Sequence, residues 1–304
     1  SSNTSYAPIS GTTNAVVLAP VALTVSGTKG YDGNRTFATA RLSVSGAIAG
    51  ESVTLTAGSG TSSAADVGTY SGSSLSSLAI SVSGSNNVAG NYSLPSTGTL
   101  TITPAVLYLS AVGAKTYDGN ANFTGTASGG IFTVLSGLAS ADTSAVVTLS
   151  ANSANADVAN NYFKTIVSIM SGSTDVTSNY QLASAGYNAS SNSATINKAS
   201  LTITANDRSS TYGSTLALGT TAYSQIGLLG SDSISSVTLL QDGNAIIPAT
   251  QSAGTYNGAI HGILPSAALG SGLANYDITY RFGTLVISNA STPSNGGGGN
   301  SKSN

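Results

Sequence analysis

The chain has 304 residues, no cysteine, one histidine, a net charge of −2 and only 7% charged residues, against about 25% in ordinary globular domains. Nine Lys and Arg without a cluster give no phosphate-tracking surface, and no run reaches the roughly 18 apolar residues of a membrane span. Neither a nucleic-acid partner nor membrane insertion is therefore expected. A lone histidine and eleven scattered acids offer no zinc or calcium set, and no Gly-x-Ser-x-Gly elbow surrounds a serine. Accordingly no cofactor, metal or catalytic residue is expected, and the chain reads as a non-enzyme.

Along the chain, strand signals dominate. Residues 1–19, with Ala15-Val16-Val17-Leu18-Ala19-Pro20, read as a remnant strand of a preceding module or a flexible N-terminus. Val21 to Val25 alternates apolar with small or hydroxylated residues, the period of a half-buried strand. Lys29-Gly30-Tyr31-Asp32-Gly33-Asn34 then reads as a turn: the carboxylate caps backbone N–H groups and the glycine takes positive φ, while the tyrosine plugs the end of a core. Val53 to Thr56, Leu78 to Val82 and Leu100 to Thr103 repeat the strand pattern, with Ala89-Gly90-Asn91-Tyr92 before the last. The same order recurs from Lys115-Thr116-Tyr117-Asp118-Gly119-Asn120 through Val147-Thr148-Leu149 to Asn179-Tyr180. It recurs once more from Thr211-Tyr212-Gly213-Ser214 to Asn275-Tyr276. Opening and closing tyrosines lie 61, 63 and 64 residues apart in the three copies. A register kept that closely is the mark of stacked modules.

The expected organisation is all-β: a module over 20–104, a second over 105–198 and a third over 199–289, then a disordered Gly/Ser/Asn tail over 290–304. Six to eight strands per module favour an immunoglobulin-like sandwich, with a smaller β-grasp-like sheet as the alternative. The joins Thr103-Pro104-Ala105 and Asn197-Lys198-Ala199 are too short to behave as flexible coil. The modules are thus expected end to end, as a rod of roughly 90 to 120 Å by compact-domain scaling. Gln241-Asp242-Gly243-Asn244 is the clearest hairpin turn. Short helical turns are the most that Ala47 to Gly50 and Leu138 to Asp142 allow.

A strand followed by Lys-x-Tyr-Asp-Gly-Asn, then Gly50-Glu51-Ser52-Val53-Thr54-Leu55, Asp66-Val67-Gly68, Ala89-Gly90-Asn91-Tyr92 and Thr101-Ile102-Thr103-Pro104-Ala105 resembles the YDG repeat of filamentous-haemagglutinin-like bacterial adhesins. The second copy keeps Tyr117-Asp118-Gly119 and Asn179-Tyr180 but has Asp157-Val158-Ala159, without the glycine. The third, with Tyr212-Gly213 and Asn275-Tyr276, resembles the companion MBG repeat. The resemblance implies export by two-partner secretion through an outer-membrane partner, a place outside the cell or on its outer surface, and a role in attachment, aggregation or biofilm-matrix cohesion. Exopolysaccharide or a host or cell-surface glycan, and self-association, are the partners it brings to mind.

The resulting expectation is a stalk segment of a secreted or surface-anchored bacterial adhesin, and two alternatives stay open beside it. A carbohydrate-binding module would need an exposed aromatic row, for which Tyr212, Tyr223, Tyr256 and Tyr280 are the candidates. A self-assembling filament would use residues 1–19 as a strand for a neighbour's sheet edge. Lys29 and Lys115 sit at equivalent places and are candidates for a crosslink to asparagine. Asp32 with Asp66, and Asp118 with Asp157, are the acid pairs weighed for an ion. Asn-x-Ser/Thr sites occur at Asn3, Asn34, Asn91, Asn122, Asn188 and Asn289.

Overall fold

A computed structural model describes residues 18–84, 88–126, 134–184 and 186–290 of the chain. Most of the 1–19 segment and the tail from 291 onward lie outside the described residues. The fold is all-β, and its longest described helix, Gly258–His261, has four residues. No described helix is long and apolar enough to cross a membrane.

Two compact units divide the chain. One comprises residues up to Leu107 with Gly137–Ser144 and Met170–Gln181; the other comprises Tyr108–Ser136, Ala145–Ile169 and the residues from Leu182 onward.

In the first unit a single six-stranded sheet runs in the order Thr36–Ala38, Glu51–Thr61, Gly68–Gly84, Thr97–Thr103, Thr24–Gly30, Leu42–Ser45. Alternation does the sorting: along Thr24–Gly30 every second residue is buried, so Val25 faces in while Thr24, Ser26 and Thr28 face out. Phe37, Leu100 and Ile102 are essentially without solvent contact, and Leu23, Val25, Leu42 and Leu75 close the core around them. Each such side chain contributes about 1.5–3 kcal/mol by leaving water. The outward face carries hydroxyls rather than charges, and these pair across strands: Thr24 with Ser45 at 2.7 Å, Ser59 with Ser76 at 2.9 Å, Thr69 with Thr101 at 3.2 Å. That is how a sheet with so few ions presents a hydrophilic surface.

In the second unit the part of strand Ala105–Thr116 beyond Tyr108 pairs antiparallel with Val134–Ser136 and parallel with Asn192–Asn197. Asn122–Thr126 pairs with Val146–Ala151, and Phe123 meets Phe163 edge to face at 5.0 Å in the core. Farther along, Ala199–Ala205 lies between Tyr223–Ile226, antiparallel, and Tyr276–Arg281, parallel. Leu285–Ser288 lies between Arg208–Thr211, parallel, and Gly254–Tyr256, antiparallel.

One pairing rule governs all three repeats. The first strand is parallel to a closing strand and antiparallel to the second strand after the Tyr turn: Thr24–Gly30 with Thr97–Thr103 and Leu42–Ser45, and likewise in the other two. The parallel pair recurs in every repeat of this all-β fold. In the first unit one sheet rolls until Leu42–Ser45 lies against Glu51–Thr61. Strand count cannot tell one rolled sheet from two facing ones, which is why sequence left both open.

The expected hairpin turn forms. Asp242 and Gly243 both take positive φ, 48° and 82°, and Gln241 and Asn244 exchange backbone hydrogen bonds. The strand after it, Ile246–Ile247, pairs with Leu216–Ala217 instead of with Ser233–Leu240, whose partner is Leu264–Ser271.

Candidate functional site

Each Tyr-Asp-Gly turn is built around a lysine two residues ahead of the tyrosine. Lys29 is buried, and its ammonium donates to Asp32 Oδ1 at 2.7 Å, to the Asn34 carbonyl at 2.7 Å and to the Thr36 carbonyl at 3.0 Å, while lying 5.0 Å from the Phe37 ring centre. Three donors and three acceptors close the account. Lys115 repeats it with Asp118 Oδ1 (2.6 Å), the Asn120 carbonyl (2.9 Å) and side-chain oxygen (3.1 Å), the Asn122 carbonyl (2.8 Å) and the Phe123 ring at 5.0 Å. The aspartate also accepts the N–H two residues on, from Asn34 and from Asn120, and Gly33 and Gly119 take φ of 77° and 86°. The Asp32 carboxyl is raised by burial, but the Lys29 hydrogen bond and charge and the Asn34 N–H outweigh this and hold it below its usual range. In the third repeat Ser210 stands in the lysine's place. Arg208 performs the closure there, donating to the Leu218 and Ala217 carbonyls at 3.1 and 3.3 Å.

The turn exists to aim the tyrosine. Tyr31 N–H is held by the Thr103 carbonyl, Tyr117 N–H by that of Asn197 and Tyr212 N–H by that of Ser288, each at 2.8 Å. The tyrosine backbone is therefore pinned at the end of a parallel strand pair each time.

Tyr31 and Tyr180 meet edge to face at 5.3 Å, and both hydroxyls donate to one oxygen of Asp142, at 3.1 and 2.6 Å. Asp142 is 3% exposed. The Tyr180 hydroxyl also accepts the Ala139 N–H. Beside it Asn179, 1% exposed, accepts the Val67 N–H at 2.8 Å and donates to Asp66 at 2.8 Å. All of these belong to the first unit. The second unit contains the same assembly: Tyr117 and Tyr276 edge to face at 5.5 Å, both hydroxyls on one oxygen of Asp232 at 2.8 and 2.7 Å, and Leu229 N–H on the Tyr276 hydroxyl. Asn275 there accepts the Ala156 N–H and donates to Asn155. Each assembly is a joint between the Tyr-Asp-Gly end of one repeat and the Asn-Tyr end of the next.

Sequence reasoning found the four tyrosines and the two asparagines but missed the two acids. A signal was present: Gly46…Glu51, Gly137…Asp142 and Gly227…Asp232 share one spacing, and the three glycines share φ of 102°, 100° and 103°. It also placed the middle of the second repeat two residues late. Asn155–Ala156, not Asp157–Val158, do what Asp66–Val67 do.

A YDG domain is matched over residues 14–100, and an MBG domain of the YGX type over residues 201–286. The chain carries a YDG domain and an MBG domain. Domains of these two kinds are typical of surface or adhesin-like repeats. No curated protein and no solved structure matches the chain.

Within the MBG domain the four tyrosines weighed for glycan contact make no exposed row. Tyr223, Tyr256 and Tyr280 are half-buried, and their hydroxyls are engaged by the Ile234 carbonyl, the Ser252 carbonyl and the Ala268 N–H. Tyr256 is the counterpart of Tyr70 in the YDG domain, whose hydroxyl bonds the Asp66 carbonyl while its ring lies over Gly68. Tyr212 alone of the four is exposed, at 47%. The acid pairs weighed for an ion are committed elsewhere: Asp32 and Asp118 to their lysines, Asp66 to Asn179, Asp157 near Lys198. No cluster of three or more potential metal ligands occurs among the described residues.

The joints give the chain a defined alkaline limit. Burial, followed by the Asp142 charge and hydrogen bond, pushes Tyr31 up from 10.0 to about 12. Burial and Asp232 push Tyr276 to about 12 also, and Tyr180 and Tyr117 move the same way. The folded state thus favours the neutral phenol. That preference is complete below the unfolded value near pH 10 and is lost as pH climbs through about 12. Titration at 295 nm is expected to show a group of tyrosines ionising only above pH 11, in step with loss of the β signal. Ionisation of all fourteen in one step near pH 10 would contradict the joints.

Proposed function

We propose that the chain is a stalk segment of a secreted or surface-anchored bacterial adhesin, working in cell attachment, aggregation or biofilm-matrix cohesion from the outer cell surface. The observation that carries this reading is the joint built twice from the same parts, which fixes one repeat on the next through buried, fully partnered groups. No buried side-chain nitrogen or oxygen among the described residues lacks a partner. Repeats joined in this way serve to hold a spacing, and the four tyrosines weighed for glycan contact form no exposed row. An outer-membrane secretion partner for the parent protein belongs to the same proposal, as does weak multivalent contact with matrix glycans through hydroxyl-rich faces, insensitive to salt because charge is scarce.

The experiment is surface display of the chain on non-adherent bacteria, scored for autoaggregation beside a Tyr31→Ala/Tyr117→Ala variant. Calorimetry of the purified chain against exopolysaccharide accompanies it. Aggregation reduced by the double variant, with no stoichiometric glycan binding, is the expected result. Saturable binding to glycan would replace the stalk by a carbohydrate-binding module.

A further inference from the structure

Oxidising a buried tyrosine needs an exit for an electron and another for a proton. The electron tunnels across several ångströms of protein, so the oxidant need not touch the ring. The proton has no such range and needs an acceptor already in hydrogen-bond contact. Both joints supply one. Asp142 takes the Tyr31 and Tyr180 hydroxyls on a single carboxylate oxygen, and Asp232 takes those of Tyr117 and Tyr276 in the same way. The four rings are buried, Tyr31 at 9% exposure and Tyr276 at 3%. Their phenols are held un-ionised at neutral pH, so electron and proton have to leave together.

The rings are also placed to react with each other. They meet edge to face at 5.3 Å in one joint and 5.5 Å in the other. Because both hydroxyls share one oxygen, the two hydroxyl ends converge, and with them the ring carbons beside each hydroxyl. Those carbons carry the unpaired spin of a phenoxyl radical. Other described tyrosines lack one requirement or the other. Tyr70, Tyr223 and Tyr256 donate to backbone carbonyls, which do not take up a proton. Tyr92 donates to the Glu51 carboxylate and accepts the Ile48 N–H, but no other described tyrosine ring pairs with it.

We infer that each joint is a site of oxidative dityrosine closure, linking Tyr31 to Tyr180 and Tyr117 to Tyr276 when the chain meets a one-electron oxidant such as a haem peroxidase fed with hydrogen peroxide. Each phenol gives up one electron and its O–H proton, which passes to Asp142 or Asp232 and on to water. The two phenoxyl radicals join through a carbon–carbon bond between positions ortho to the hydroxyls. The ring hydrogens displaced there move to the two oxygens as the phenols re-form. Each link removes two hydrogen atoms from the protein and turns one hydrogen peroxide into two waters. The hydrogen-bonded joint becomes a covalent one, which closes a long loop of chain and restricts the unfolded state. The inference rests on joint geometry and stands whether or not the chain serves an adhesin.

The test is peptide mapping by mass spectrometry of the full chain after treatment with a haem peroxidase and hydrogen peroxide, with dityrosine fluorescence following the rate. Both links are expected in the monomer fraction, each as a peptide pair two hydrogens lighter than its parts. Tyr180→Phe is expected to remove the first link alone, and Tyr276→Phe the second alone. Asp142→Asn keeps a hydrogen-bonding oxygen in place but takes no proton. It is expected to slow Tyr31–Tyr180 coupling about a hundredfold, within the range of a placed proton acceptor, while Tyr117–Tyr276 coupling in the same sample is unchanged. Coupling confined to exposed tyrosines such as Tyr108, Tyr187 and Tyr212 overturns the inference. So do joint rings left unmodified once the peroxide is spent. An Asp142→Asn chain that couples both pairs at the wild-type rate overturns it too, since ring contact alone would then suffice.

Discussion

Asp142→Ala is expected to destabilise the first unit by roughly 2–4 kcal/mol, since it strips the acceptor from two buried tyrosine hydroxyls at about 1–3 kcal/mol each. Tyr180 keeps the Ala139 N–H as a donor, but neither hydroxyl then has anything to donate to. Asp142→Asn retains an oxygen in place and loses only the charge on the acceptor, so a smaller cost of about 1 kcal/mol is expected. A falling urea midpoint at constant m-value is the measurement. It is best paired with amide exchange at Val67, whose N–H is held by Asn179 beside the same tyrosine and is expected to open first. If Asp142→Ala moves the midpoint no more than a surface change does, within about 0.5 kcal/mol, the tyrosine pair is held by packing alone and the carboxylate is incidental.

Lys29→Ala is expected to cost as much, about 3 kcal/mol, through a different route. The substitution leaves the Asn34 and Thr36 carbonyls and the Asp32 carboxylate without their shared donor and removes the cation from the Phe37 ring. Hydrogen bonds to a charged group are each worth about 1.5–3 kcal/mol and are not additive within one hub. Lys29→Arg is expected to rescue little, because a planar fork cannot serve three acceptors spread around a compact ammonium. The circular-dichroism melting temperature of the two variants decides it. Full rescue by arginine would mean that the site needs a positive charge and not this geometry.

Much of the fold was legible because it is local. Strand alternation, the Asp-Gly turns and the recurrence of Asn-Tyr all depend on residues within a few positions of each other. Val25, Leu100 and Ile102 could be placed on the inner face from period alone. What could not be read is what reaches across 111 and 115 residues, the sequence separations of Tyr31 from Asp142 and Tyr117 from Asp232. A solitary acid in a polar stretch looks like a solvated one until its partners are known. Glu51 stood inside a quoted motif with no role assigned for that reason. The lysine was legible as a recurrent residue and not as a hub, because its acceptors are backbone carbonyls, which no sequence displays. The glycan tyrosines erred the other way. An aromatic beside polar residues reads as a surface, yet Tyr223, Tyr256 and Tyr280 turn their rings half inward and tether their hydroxyls to backbone groups.

The parallel pairing of first and closing strands determines how a repeat meets tension. Pulled at its two ends, a repeat loads Ser26–Gly30 against Thr99–Thr103, or Ala199–Thr204 against Tyr276–Arg281, along the strand axes. The ladder bonds lie across that direction and must yield together, where an antiparallel pair pulled from one end peels bond by bond. Each repeat is therefore a shear clamp, and the force it resists is set by the number of rungs sharing the load. A tether built from such clamps stays short and stiff under flow until a whole ladder gives way, then lengthens abruptly by the chain that one repeat had folded.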